Sequence, residues 1–201
     1  NSLEHALLTL GAMTVGIPFC SVSAAYSLMS QDFGKLRHVL DTITPGLVYA
    51  SDWSRFAKAI DATVSSDVPV VTNEINKRGE GVTSTIALST LTSRSVTPAV
   101  RSAMMATNGD TIVKFLFTSG STNLPKAVIN THRMICANQQ QVKQSMPSVL
   151  DIPPVLMDWP PWSHTFGANH NFNMVLAHGG SLAVDEGRPA PGLIDKTVAN
   201  L

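Results

Sequence analysis

Thr118, Ser119, Gly120, Ser121, Thr122 and Lys126 stand together between an apolar run ending at Phe117 and another resuming at Ala127. Such a set of hydroxyls, one glycine and one lysine contains the parts that polyphosphate binding needs. Backbone N–H groups come from a tight turn, hydroxyls donate to non-bridging oxygens, and the lysine adds one mobile cation. The plain alternative is a hairpin loop, because Ser, Thr, Gly, Asn and Pro are ordinary turn residues. A Walker A loop is the obvious comparison. Counted from Gly120, the lysine falls in the right place, but Pro125 stands at the second glycine and Ala127 where Ser or Thr should follow. The residues after the lysine, Ala127-Val128-Ile129, also read as a strand, where a Walker A loop opens a helix.

A second group lies downstream. Trp159, Trp162, His164 and Phe166 follow the apolar run Val155 to Trp159, and α/β sheets bind ligands at the C-terminal ends of their strands. Aromatic walls suit a flat ring by stacking and apolar burial, although Trp159 and Trp162 fit ordinary core or rim packing equally well. His164 either contacts a ligand or caps the helix that begins near Phe166. Asn169 and Asn171 could touch a ligand, but a solvated helix face is the expected place for them. His164, His170 and His178 have no Cys or carboxylate between them, so their spacing gives no shared metal face. Ser119 and Ser121 lack a Gly-x-Ser-x-Gly elbow and an assignable His–carboxylate pair, which argues against an acyl-enzyme nucleophile.

The elements that must position these residues alternate between short apolar strands and amphipathic helices. Leu3, Ala6, Leu7 and Leu10 have helical spacing, with Gly11 expected to end the run and Val15 to Phe19 to form a strand. Phe33, Leu36 and Leu40 mark a second helix, and Trp53, Phe56, Ala57 and Ile60 a third. Gly46–Ala50 and Val68–Thr72 read as strands. The polar stretch Asn73–Ser95 reads as a surface excursion with a short strand around Ile86 to Leu91. Thr97-Pro98 then starts a helix through Met105. Thr111–Phe117 and Ala127–Ile129 are strands, and Thr131 caps a helix carrying Ile135, Val142 and Met146. Val155–Trp159 is a strand, Phe166–Ala177 a helix closed by Gly179-Gly180, and Ser181–Val184 a strand. This is the pattern of an α/β fold with a mostly parallel sheet flanked by helices.

Composition narrows the function classes. The 201 residues carry 14 basic and 14 acidic side chains, and zero net charge disfavours nucleic acid as a partner. With 44% hydrophobic residues the chain is not disordered. Only 14% are charged, against about a quarter in a free-standing domain, so part of the surface is expected to belong against further protein. Cys20 and Cys136 form no disulfide framework, which makes a reducing cytoplasm the default. The longest apolar stretch, Ala6 to Cys20, is interrupted by Thr9, Gly11, Thr14, Gly16 and Pro18 and is too short for a membrane span. Glu4 and His5 stand where a signal peptide would have a basic leader. We read both ends of the chain as cut.

The run Thr118-Ser119-Gly120-Ser121-Thr122, followed by Pro125-Lys126, closely resembles the phosphate loop of the adenylate-forming superfamily: acyl-CoA synthetases, luciferases and peptide-synthetase adenylation domains. The likeness continues through Ala24-Ala25-Tyr26, Gly46-Leu47-Val48-Tyr49 and Asn130-Thr131-His132-Arg133-Met134. Asp158 to Gly167 occupies the place of the family's Pro-x-x-His-x-x-Gly segment. With Asn169 to Asn173 and Glu186 to Leu193, it is most similar to the feruloyl-CoA synthetase branch. Asn123 and Ala127 depart from glycines usual in the family. Asn is the non-glycine residue best suited to positive φ, and Ala127 adds only a methyl.

The resemblance implies that Thr118, Ser119, Gly120, Ser121, Thr122 and Lys126 bind the phosphates of ATP. It also implies that Thr122 lies near Mg2+, that Lys126 is catalytic, and that His164, Trp162 and Phe166 line the acid pocket. The implied reaction activates a carboxylic acid, ferulate or another hydroxycinnamate, as an acyl adenylate and transfers it to CoA. Rival readings are a fatty- or small-acid ligase of the same superfamily and a non-catalytic nucleotide-binding module. The chain would be a partial N-terminal AMP-binding domain over 1–201. It would comprise a first α/β portion (1–72), an excursion and helix (73–110) and a phosphate-loop and acyl-pocket portion (111–201). The family's ribose, adenine and mobile lysine-domain segments would lie outside it, so the piece alone is expected to be inactive. A piece with exposed apolar surface tends to self-associate, and a homodimer is compatible with that.

Overall fold

Ser2 starts the first helix: its side-chain oxygen accepts from the His5 N–H, and α1 runs Leu3–Thr14. The computed structural model describes residues 1–73, 85–118, 124–149, 151–185 and 190–200. Gly11 does not end the helix as its residue type suggested; α1 continues to Thr14. The strand expected from Val15 shrinks to β1 (Phe19–Cys20). The chain divides into two compact units, one comprising residues 1–21, 103–116 and 128–201, the other 22–102 and 117–127.

In the second unit, α2 (Ala25–Leu28) precedes α3 (Gly34–Ile43). Phe33 introduces α3 with φ +54°, unusual for a bulky residue, and its N–H is held by Ser30 Oγ while its ring is buried. β2 (Val48–Ala50) leads into α4 (Trp53–Thr63), which Asp52 caps by accepting from the Arg55 N–H. β3 (Val70–Thr72) lies between β2 and β4 (Thr85–Ala87), parallel to both, with Val70 opposite Val48 and Thr85. Val70 and Val71 are fully buried, as a parallel strand covered on both faces requires. Consecutive residues of α4 serve two clusters: Ala59 packs with Phe33 and Leu36, Ile60 with Ala50 and Val70. The strand expected around Ile86 to Leu91 is shorter than its apolar run, because the chain turns into α5 (Leu88–Thr92). α6 (Pro98–Ala106) follows, its first turn tied by Thr97 Oγ1 to the Val100 N–H.

β5 (Ile112–Thr118) and β6 (Lys126–Thr131), most of whose residues fall in the first unit, form with β1 the sheet β1-β5-β6, and β1 pairs parallel with β5. Thr131 caps α7 (His132–Ser145), accepting from the Met134 N–H as its position predicted. β7 (Val155–Asp158) and β8 (Ser181–Val184) pair parallel, with Asp158 opposite Val184. Between them the expected single helix is a π-helical turn, Phe166–Phe172, continuing into α8 (Asn173–His178). Gly179 stops α8 at φ +67°, a left-handed stop that glycine adopts without steric cost. α9 (Ile194–Asn200) has no counterpart in the periodicity reading.

Under this layer His5 Nε2 lies 2.8 Å from Ser21 Oγ, and its ring rests on Trp162 with centroids 5.1 Å apart. Burial lowers its pKa to about 4. The unfolded chain therefore binds a proton that the folded chain refuses between about pH 4 and the ordinary value near 6.5. Stability from the neutral ring is complete above that window and is lost as pH falls through it, on the order of 3 kcal/mol in all. Denaturant melts from pH 7 to 4 are expected to show this loss, and His5→Gln to reduce it.

Candidate functional site

Thr118 closes β5 and Lys126 opens β6, neighbouring strands of one sheet, and both side chains are exposed. Ser119, Gly120, Ser121 and Thr122, together with Asn123, lie outside the described residues. The margins of this segment share a brace that sequence inspection passed over. His38 of α3 reaches the Pro125 carbonyl with Nε2 at 2.9 Å, and its ring stands edge-on to Phe117 with centroids 6.5 Å apart. A carbonyl only accepts, so Nε2 is the donor there. His38 and Pro125 are 87 residues apart, and a lone histidine on an amphipathic helix carries no local sign of such a contact.

The surrounding sequence also suits an anion. No acidic residue occurs between Asp110 and Asp151, while Lys114, Lys126, Arg133 and Lys143 all fall inside that interval. A hydroxyl and an ammonium exposed at adjacent strand ends, without a carboxylate nearby in sequence, fit a phosphate group chemically.

In the first unit, the π-helical turn gathers the aromatic group. Phe166 is half exposed and stacks on His170, with centroids 5.1 Å apart and planes 11° apart. Trp159 is also partly exposed. Trp162 is different: it is 5% exposed, packs on Phe172 at 4.9 Å, and donates its indole N–H to Asp158 Oδ2 at 2.7 Å. Of the two roles open to Trp162, the structure gives it the core one. Asp158 is completely buried and also accepts from Asn171 Nδ2 at 2.6 Å. The solvated face expected for Asn171 and Asn169 is thus replaced by bonding inward. Asn169 donates to Asn130 Oδ1 and Thr165 Oγ1, and its carbonyl accepts from Gln139 Nε2.

His164 sits exposed just before the turn, and its Nδ1 accepts from the Phe166 N–H at 3.2 Å. That side chain thus closes a tight local turn just ahead of the π-helical segment. With Nδ1 accepting, the neutral ring carries its proton on Nε2, which leaves an N–H donor on the exposed side of the ring. Gly167 explains the glycine of this segment: a Cβ there would stand 2.7 Å from the carbonyl oxygens of both Pro160 and Pro161. The segment is braced further by Asn1, which donates to Pro160 O and accepts from the Trp162 N–H.

Sequence reasoning also missed Lys114. It lies in β5, is 2% exposed, and points its ammonium at Ala168 O, 3.5 Å away, and toward the Phe19 ring, 5.9 Å from the centroid. Burial lowers its pKa to about 8. Within an apolar strand the only sequence signal was the lysine itself.

Comparison with known proteins adds to this geometry. Searching curated proteins finds no match. Among solved structures, ATP-bound MatB from Rhodopseudomonas palustris is similar with a TM-score of 0.62 and 20% identity, over 92% of this chain and 33% of that one. A luciferase-like enzyme from the mealworm Zophobas morio gives 0.69 and 17%, over 99% and 42%. The adenylation domain of a keto acid-selecting NRPS module gives 0.61 and 17%, over 91% and 30%. At these identities the likeness establishes the fold: an α/β architecture with parallel sheets flanked by helices, as in the N-terminal region of adenylate-forming enzymes. The chain spans about a third of the length of the first of these structures. The sequence itself matches one family over residues 1–200, nearly its whole length, and the chain belongs to the AMP-binding enzyme family.

Proposed function

We propose that this chain supplies the phosphate-loop and acid-binding portions of an ATP-dependent acyl-CoA synthetase acting on an aromatic acid of the hydroxycinnamate class, such as ferulate. The observation that carries the ATP half is the pair Thr118 and Lys126, exposed at adjacent strand ends in a stretch without carboxylates. Family membership supports it. The acid half rests on the exposed ring of Phe166 and the His164 Nε2–H beside it in sequence.

In this reading Lys126 and the Thr118 hydroxyl hold phosphate oxygens, joined by Ser119, Gly120, Ser121 and Thr122. Lys126 counters the charge that develops on the phosphate as the acid's carboxylate attacks the α-phosphorus and pyrophosphate leaves. Mg2+, with Thr122 as a neighbouring oxygen, would supply further cationic stabilisation when bound. Phe166 presents an apolar face to the ring of the acid, and His164 donates to a carboxylate oxygen. CoA then accepts the acyl group in the whole enzyme. Cys20 and Cys136 are unpaired thiols, consistent with a reducing cytoplasm. No helix among the described residues is long and apolar enough to cross a membrane.

The test is ATP–pyrophosphate exchange by the whole protein with ferulate, benzoate, acetate and a long-chain acid. Exchange with ferulate in preference to the others is expected. Preference for another acid would keep adenylation and discard the hydroxycinnamate assignment. No exchange with any acid would point to a non-catalytic nucleotide-binding module.

A further inference from the structure

A lysine is among the residue types least often fully buried without a partner charge, yet Lys114 is 2% exposed in the middle of β5. Its neighbours explain what the ammonium does there. Among the described residues it reaches Ala168 O at 3.5 Å and lies 5.9 Å from the Phe19 centroid, a carbonyl and an aromatic face. Ala168 belongs to the π-helical turn Phe166–Phe172. In a π-helix the donor for the Ala168 carbonyl would be the N–H five residues on, at Asn173. The Asn173 N–H also reaches His170 O, and Lys114 Nζ offers Ala168 O a side-chain donor.

The same turn is tied at other points by bonds that leave its outer face open. Gln139 Nε2 donates to Asn169 O, Asn169 Nδ2 to Asn130 Oδ1, and Asn171 Nδ2 to the buried Asp158. Phe166 and His164, on the exposed side, make only local contacts in the described structure: Phe166 with His170, and His164 with the Phe166 N–H. Their placement therefore depends on how the turn is seated on the sheet.

We infer that Lys114 is a positioning residue for acid binding, holding the Phe166–Phe172 turn against β5 so that His164 and Phe166 face the acid. This rests on the acid-binding role proposed above for those two residues. Lys114 is too buried to touch the acid itself, so its effect passes through Ala168.

The test uses the whole protein in the exchange assay, with Lys114→Met removing the charge at similar length and Lys114→Gln keeping a donor. For Lys114→Met, KM for the acid is expected to rise roughly 10-fold, since small misplacements of binding groups are costly. KM for ATP should stay within about twofold. Lys114→Gln should restore part of the loss. Melting temperature is the second readout. A buried charge replaced by an apolar chain is often neutral or stabilising, so Lys114→Met should melt no lower than the parent protein. An unchanged acid KM would overturn the inference. So would a parallel loss of acid affinity, ATP affinity and melting temperature, or a Met variant that does not fold, because each marks a general structural role. Failure of the unmodified protein to exchange with any acid refutes the function proposed above, and this inference falls with it. Normal exchange that ignores Lys114 refutes this inference alone.

Discussion

Lys126→Ala in the whole protein is expected to slow adenylate formation by about 10²- to 10³-fold, the usual loss when one preorganised charge-stabilising group is removed. The carboxylate's KM should change little. The asymmetry follows from where the charge is needed. In the proposed reaction negative charge shifts onto the departing pyrophosphate, so an ammonium at the opening of β6 would stabilise the transition state more than the bound acid. The exposed position of Lys126 gives it the reach to do this without a desolvation cost in the resting protein. Lys126→Arg is the informative control. It keeps the charge but replaces a compact ammonium with a planar fork, and it should recover part of the rate. Single-turnover formation of the acyl adenylate would read both variants. Unaltered kinetics in Lys126→Ala would remove this residue from the phosphate role.

The second large effect concerns stability. Trp162→Ala is expected to cost about 3–5 kcal/mol, as truncation of a buried aromatic ring commonly does. In a chain of this size that is a fall in melting temperature of roughly 6–20 °C. Two causes add. The ring packs with Phe172 and with the cluster of Leu116 and Ala168, and its N–H is one of two side-chain donors holding Asp158, which has no solvent exposure. Trp162→Phe separates them. It keeps most of the ring and removes the donor, so its cost is expected to fall to about 1–3 kcal/mol, the penalty for an underbonded buried acceptor. Thermal melts monitored by circular dichroism would measure both. A Trp162→Ala protein that melted normally but lost acid affinity would return this residue to the substrate pocket.

Trp162 also shows where inspection of the sequence stops. Its type and its place after an apolar strand made a pocket wall and a core ring equally reasonable. The choice turned on Asp158, four residues back, being buried with an empty lone pair for the indole N–H to fill. Local pattern did establish most of the elements. Caps such as Ser2, Asp52 and Thr131 act through hydrogen bonds spanning three residues, so they can be read from neighbouring letters. The short apolar strands announced a parallel sheet for a similar reason, since each must be hydrophobic on both faces. Where local signals competed, they misled. Gly11 was read as a stop but lies within α1, because one glycine costs a helix only about 1 kcal/mol relative to Ala and packing supplies more than that. The run from Ile86 to Leu91 divides into strand and helix although periodicity cannot tell a short buried strand from a buried helical turn.

By itself, then, the sequence determined the alternation of strands and helices, the family, and the hydroxyl and lysine residues suited to a phosphate. Those are properties of residue type and short spacing. Only the tertiary structure decided which polar residues of the Phe166–Phe172 turn face inward, that His38 touches both Phe117 and Pro125, and that Lys114 reaches Ala168 O. Most of those contacts join residues more than ten positions apart, and several of the partners are backbone carbonyls. A carbonyl is present at every position of a chain, so nothing in the letters marks which one a distant side chain will find until the strands and helices have packed.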